Sequence, residues 1–364
     1  MNKQWVIFSS LFFILLVSVA VQPNFDLNDT TEDIENQIIT IAAVGDIMMG
    51  STFPTPILPP EEGQDLFSMV KNDLICNDLT IGNLESPFCD SFKPDKDTSN
   101  KYNFLFRTPT GFVKNLVFAG FDVVNLANNH IGDFGKDGIY STKQVLAYSN
   151  IKYTGLLGDI AEVKIKNKRI FIIGFSPHYG TYSLLNISKA QRIIARLKRK
   201  GDIVIVTFHG GKEGYNALHT RDTFEYLLDD PRGNVVKFSH AVIDSGADLV
   251  FGHGPHVPRA IEVYNNRLIA YSLGNFCTYG RFNIKGVNGL SLILKVDLDT
   301  NGTFIEGKII PLFQESPGIP KPDSIGRSIK LINNLSQYDF PLTAPDIDTY
   351  GIITPQQQQL TSTR

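Results

Sequence analysis

The sequence predicts an α/β protein, on three observations. Near-continuous apolar runs such as Ile38–Val44 and Ile203–Phe208 suit strands of a parallel sheet covered on both faces. Segments with helical spacing of apolar residues alternate with these runs. Several of the runs end in carboxylate, amide or imidazole residues beside glycines, and open α/β sheets bind ligands beyond the carboxyl ends of their strands.

At 364 residues, with 42% hydrophobic residues, 20% charged residues and a net charge of −3, the chain has the profile of an ordinary globular protein. No basic face argues for nucleic acid. The densest basic run, Arg192–Lys200, is spaced as a helix that turns Ile193, Ile194 and Leu197 inward. Cys76, Cys89 and Cys277 are too few and too scattered for a disulfide framework or a thiolate metal site. Cys76 and Cys89 could pair in an oxidising compartment, although nothing requires it.

In chain order, Lys3 precedes an apolar run from Trp5 to Val21, with small residues at Ser18-Val-Ala20. Residues 1–21 therefore read as a signal peptide or a signal anchor, and residues 22–37 as a polar linker. The folded domain is then extracytoplasmic, either secreted or held at the membrane by this segment. The first core strand, Ile38–Val44, ends in Gly45-Asp46, whose carboxylate could ligate a metal or cap the next element. Asp65–Asn77 has helical spacing, and Leu79–Asn83 is a strand ending in Asn83-Leu84-Glu85. Residues 88–103 read as an insertion loop, Phe104–Arg107 as a strand and Thr110–Ala119 as a helix.

The strand Phe121–Leu126 runs into Ala127-Asn128-Asn129-His130 and three glycines, followed by a helix over 136–149. Two adjacent asparagines could form no more than a turn. A hairpin follows over Val163–Phe175, and then His178, which reads as a loop residue rather than a ligand. Ile203–Phe208 ends directly in His209-Gly210-Gly211, a candidate ligand with a satisfied core histidine as the alternative. His219 and His240 lack any such context and read as structural. Helix Val235–Ser245 and strand Gly246–Phe251 lead to His253-Gly254-Pro255-His256, two imidazoles on a loop where glycine and proline suppress helix. Hairpins over 260–272 and 290–311 complete a domain spanning 38–315, and residues 316–364 read as a Pro/Gln-rich surface tail.

Asp46, Glu85, Asn129, His130, His209, His253 and His256 thus sit on five strand ends. Carboxylate, amide and imidazole donors without thiolate suit Mn²⁺, Fe²⁺ or Zn²⁺. Two such ions about 3.5–4 Å apart would clamp a phosphoryl group and bring the pKa of a bridging water to about 7.

In their order, Gly45-Asp-Ile-Met48, Asn83-Leu-Glu85, Ala127-Asn-Asn-His130, His209 with Glu213, Gly252-His…Pro-His256 and Tyr271-Ser-Leu-Gly-Asn-Phe276 resemble the signature of the CapA family of poly-γ-glutamate capsule synthesis, over roughly residues 38–312. The resemblance implies a calcineurin-like metallophosphoesterase fold, a four-layer α/β/β/α sandwich of two mixed sheets. By position it implies one or two divalent metal ions held by Asp46, Glu85, Asn129, His209, His253 and His256. It makes His130 the proton donor to the leaving oxygen and Asn128 the neighbour that orients it. It implies a metal-dependent hydrolase with a metal-bridged hydroxide nucleophile, acting on a phosphoester or an anionic polymer beside a membrane-bound polyglutamate synthase. The alternative is a polymer-binding or scaffold subunit of that synthase with a vestigial metal site. Met48 stands where metallophosphoesterases carry a histidine, Gly210 and Gly254 replace an aromatic and a histidine of the family pattern, and His253 and His256 are one residue farther apart than the phosphoesterase pair.

Overall fold

The computed structural model describes residues 37–356 apart from 97, 99–103 and 201, so the signal segment, nearly all of the linker and residues 357–364 lie outside the described residues. The chain builds one sheet, crosses to a second, and returns to finish the first. It opens with β1 (Ile38–Met48), β2 (Leu79–Leu84), β3 (Val123–Asn125) and β4 (Lys152–Thr154), paired in parallel in that order. The second sheet takes β5 (Ala161–Ile165), β6 (Lys168–Ser176), β7 (Tyr182–Ser183), β8 (Ile203–His209), β11 (Leu249–His253), β12 (Ile261–Tyr264) and β13 (Arg267–Ala270). Between β8 and β11, a separate hairpin pairs β9 (Glu225–Leu227) with β10 (Asp230–Gly233). The chain then returns through β14 (Asn275–Thr278), β15 (Leu290–Asp299), β16 (Phe304–Glu315), β17 (Ile319–Pro322), β18 (Asp346–Ile347) and β19 (Ile352–Thr354). Both sheets are mixed: β1 is parallel to β2 but antiparallel to β15, and β6 is parallel to β8 but antiparallel to β5.

Alternation along each strand sorts its side chains into layers, since successive residues point to opposite faces. Ile39, Ile41 and Ala43 of β1 meet Ile203 and Ile205 of β8 and Leu249 and Phe251 of β11 in the core between the sheets. Their neighbours Ala42 and Val44 face outward onto Phe67, Leu74, Leu116 and Leu146. Val204, Val206 and Val250 face the other way, onto Ile194, Leu197, Val235 and Phe238 of the helices Ile187–Lys198 and Val235–Asp244. These three cores define four layers, α/β/β/α.

Three expected elements differ. Within Asp65–Asn77 only Lys71–Ile75 is α-helical. The preceding residues form successive three-residue turns (Leu66 N to Gly63 O, Val70 N to Phe67 O), which still bury Leu66, Phe67 and Val70. Phe104–Arg107 joins no ladder, because side chains take its backbone donors: Phe106 N donates to Asp133 Oδ2 and Arg107 N to Ser51 Oγ. Nor is the segment from Ser316 a surface tail. It supplies β17, β18, β19 and the helix Arg327–Asp339, whose Ile329 and Ile332 enter the core between the sheets. All three cysteines are free, with Cys76 exposed and Cys89 buried.

The closing helix gives a direct test. Ile332 is 1% exposed, so Ile332→Ala should cost about 2–5 kcal/mol in urea denaturation, as truncations in well-packed cores do. A loss below about 0.5 kcal/mol, the range of surface substitutions, would return this segment to the periphery.

Candidate metal centre

Register places the polar residues at one level. Asp46 of β1 lies opposite Asn275 of β14 on one side and Asn83 of β2 on the other, and Asn83 lies opposite Asn125 of β3. In the second sheet, His209 of β8 lies opposite His253 of β11. The backbone must close tightly around Asp46, whose N–H donates to Gly274 O. A Cβ on Gly45 would fall 1.9 Å from that same oxygen, so no other residue fits there without moving the chain.

Asparagine amides then fix the carboxylate. Asn83 Nδ2 donates to Asp46 Oδ1 at 2.8 Å, and Asn125 Nδ2 donates to Asn83 Oδ1 at 3.0 Å. This leaves Asp46 Oδ2 to His256 Nδ1, 2.9 Å away, while His253 Nδ1 stands 3.6 Å from Oδ1. Glu85 reaches in from the end of β2, with Oε1 2.9 Å from His209 Nε2 and Oε2 3.7 Å from His256 Nδ1. One ligand atom each from Asp46, Glu85 and His256 lie within 4.8 Å of one another. The donor set fits a divalent cation, because Glu85 Oε2, His209 Nδ1 and both nitrogens of His253 are buried without a hydrogen-bond partner, while Asn129 Oδ1, on the loop after β3, is also buried and unpartnered. Buried polar atoms are ordinarily satisfied, so such a concentration calls for an explanation.

Burial also separates the titrations. It pushes His209 well below the usual imidazole range and His253 down to about 4, so both are neutral, the form that ligates. Burial alone would lower His256 as well, but Glu85, the Asp46 hydrogen bond and charge, and Glu213 raise it to about 10. Burial, and then the Asp46 charge, push Glu85 well above the carboxylate range. The group of Asp46, Glu85 and His256 therefore retains a proton at neutral pH, on His256, that a cation must displace.

The loop after β3, although followed by three glycines, is fixed by side-chain hydrogen bonds. Asn128 Oδ1 accepts from His130 N and Ile131 N, and Asn128 Nδ2 donates to Leu84 O at 2.8 Å. Asn128 thus holds the backbone that carries His130. The imidazole itself is oriented by Asp133, with 3.0 Å between His130 Nδ1 and Asp133 Oδ2, and packs on Phe106 with ring centroids 4.3 Å apart. His130 is 6% exposed, and burial pushes its pKa below the ordinary value against the opposing charge of Asp133. Lys96 pairs with Asp133 and donates to Asn129 O.

Four participants were not singled out by the strand-end pattern. Asp133, three residues after His130, was readable as a partner from its spacing. His178 lies with its ring centroid 6.0 Å from that of His209 and its Nε2 buried without a partner, so it belongs to the rim of the site and not to a remote loop. Glu213 and Arg232 form an ion pair at 2.8 Å beside His256, and no sequence signal marks Arg232. His219 and His240 lie elsewhere, paired with Asp339 and Glu262.

Because the group keeps a proton that a cation displaces, metal uptake at pH 7 should release protons, and affinity should rise with pH, by up to about tenfold per unit for each proton displaced. Calorimetric titration with Zn²⁺ in two buffers of different ionisation enthalpy measures this directly. Equal apparent enthalpies in the two buffers would contradict it.

Residues 40–279 match the family model described as bacterial capsule synthesis protein PGA_cap. The capsule biosynthesis protein CapA of Bacillus anthracis is 31% identical over 314 residues, which is 79% of this chain and 70% of that protein. The PGA biosynthesis protein CapA of Bacillus subtilis (strain 168) is 29% identical over 309 residues, 80% of this chain and 76% of that one. Among solved structures, a 5'-nucleotidase precursor from Thermus thermophilus is similar at a TM-score of 0.43 and 13% identity, over 84% of this chain and 59% of that one. An NAD nucleotidase from Haemophilus influenzae is similar at a TM-score of 0.42 and 12% identity, over 82% of this chain and 55% of its own. The chain therefore spans less than two thirds of either nucleotidase. With the family model covering well over half of its length, the chain belongs to the bacterial capsule synthesis protein family PGA_cap.

Proposed function

We propose that this protein is an extracytoplasmic, divalent-metal-dependent hydrolase of phosphoesterase type, working in capsule or poly-γ-glutamate biosynthesis beside a membrane-bound synthase. The observation that carries this reading is the convergence of Asp46, Glu85 and His256 with unpartnered buried donors from both sheets. Asp46, Glu85, Asn129, His209, His253 and His256 would hold the metal. When bound, the metal supplies Lewis-acid polarisation of a phosphoryl or carbonyl oxygen and lowers the pKa of a water.

The remaining chemistry falls to the chain itself. Asn83 and Asn125 keep the Asp46 carboxylate in one orientation, so the donors are preorganised before substrate arrives. Asp133 accepts from His130 Nδ1, so Nε2 carries a proton for a leaving oxygen only in the imidazolium form, which the Asp133 charge supports against the effect of burial. Its position on a loop pinned by Asn128 favours a fixed angle of delivery. The Lys96–Asp133 pair keeps that loop seated.

His130→Ala should retain metal but lose about 10²–10⁴ in rate toward an ester with a poor leaving group, the usual worth of general-acid help. A nitrophenyl ester, whose leaving group needs no proton, should be largely spared. Asp46→Asn should lose metal and both activities together. Steady-state rates with the two esters, beside metal analysis of each variant, check the assignment. Loss of metal in His130→Ala would make His130 a ligand, and unchanged activity in both variants would favour a polymer-binding or scaffold subunit.

A further inference from the structure

Glu213 stands on a loop clamped from several directions. Lys212 N donates to Glu225 Oε2 at 2.9 Å, Arg259 Nη2 donates to Lys212 O at 3.0 Å, and Arg232 Nε donates to Gly211 O at 3.1 Å. The hairpin of β9 and β10 thereby staples the loop that follows His209. Arg232 is 1% exposed, and its Nη2 lies 2.8 Å from Glu213 Oε1. The second oxygen of Glu213 faces His256, with Oε2 3.9 Å from Nε2. On the opposite edge of the same ring, Nδ1 faces Asp46 at 2.9 Å and Glu85 at 3.7 Å. His256 thus presents one nitrogen to the metal-ligating carboxylates and the other to Glu213.

We propose that Glu213 and Arg232 are positioning residues that commit His256 to bind the ion through Nδ1. A neutral imidazole has one lone pair for a metal, and the partner of the other nitrogen decides where it lies. A Glu213 carboxylate brought against Nε2 would accept the proton there and leave the lone pair on Nδ1, toward Asp46 and Glu85, in place of the contact Nδ1 now makes with Asp46. An anionic acceptor there also makes the ring a more basic ligand. Closing this approach to hydrogen-bond length needs a shift of roughly 1 Å. Arg232 prevents the reverse movement: Glu213 is 23% exposed in its side chain and would otherwise turn to solvent, and a buried guanidinium holds it by charge. His256 itself has a left-handed φ of 59°, a backbone angle that the loop imposes on it.

The inference rests on the metal-site reading above and is tested by Zn²⁺ affinity, measured by chelator competition on the full-length protein. Glu213→Gln should weaken Zn²⁺ binding by about 10–100-fold with unchanged stoichiometry, the usual effect of losing such a partner. Because that variant leaves Arg232 buried without its counter-charge, Glu213→Asp is the companion: it keeps a carboxylate for Arg232 but withdraws it from His256 by one methylene, and it should also bind Zn²⁺ more weakly with an unchanged melting temperature in EDTA. In a His256→Ala background, Glu213→Gln should have no further effect. An equal loss in that background would make Glu213 a ligand in its own right and overturn the proposal. So would unchanged affinity in both variants, or a loss matched by a lower melting temperature of the companion in EDTA. If the wild-type protein takes up no Zn²⁺, this proposal falls together with the metal-site reading, whereas wild-type uptake unaffected by Glu213→Gln removes this proposal alone.

Discussion

A carboxylate with no exposure to solvent sits where the two sheets meet, and the architecture of the site follows from keeping Asp46 there. An isolated buried charge is expensive, so it must be hydrogen-bonded and balanced. Asn83 satisfies one oxygen and His256 meets the other. Asn83 is in turn steadied by Asn125, one strand farther along. The parallel register of β1, β2 and β3 makes this chain of amides possible, because it holds the three residues at one level. The close passage of Gly45 over Gly274 O brings the return strand against the same point.

The second sheet contributes in the complementary sense. Its strands β8 and β11 end at one level in His209 and His253, and the loop beyond β11 carries His256 across to Asp46. One sheet delivers carboxylates and amides, the other imidazoles. A cation between them would relieve the crowding of Asp46 and Glu85 and satisfy nitrogens that otherwise lack partners. Ligand binding of this kind would add to native-state stability by mass action.

Much of this was legible in the sequence because it is carried by local pattern. An apolar run such as Ile203–Phe208 announces a buried strand, and a histidine directly after it announces where the strand end lies. The four layers follow from strands that bury both faces, together with the resemblance carried by the six ordered motifs. What was not legible depends on contacts distant in sequence. Arg232 meets Glu213 only because the hairpin of β9 and β10 folds back over the loop after β8. His178 reaches His209 because β6 and β8 are neighbours in the sheet. The helix Arg327–Asp339 hides its apolar stripe of Ile329, Ile332 and Leu335 in a polar segment with a proline-rich beginning, so composition suggested a tail where spacing would have suggested a helix. Phe104–Arg107 has the composition of a strand, yet its backbone donors go to Asp133 and Ser51, and no local rule foresees that.

The central claim is that Asp46, Glu85 and His256 define a cation site at the seam of the two sheets. Crystals of the full-length protein grown or soaked with Mn²⁺, measured by anomalous diffraction, test it most directly. The account predicts an anomalous peak bounded by Asp46, Glu85 and His256. Full occupancy of Mn²⁺ elsewhere on the chain, with no peak among these three side chains, would contradict it.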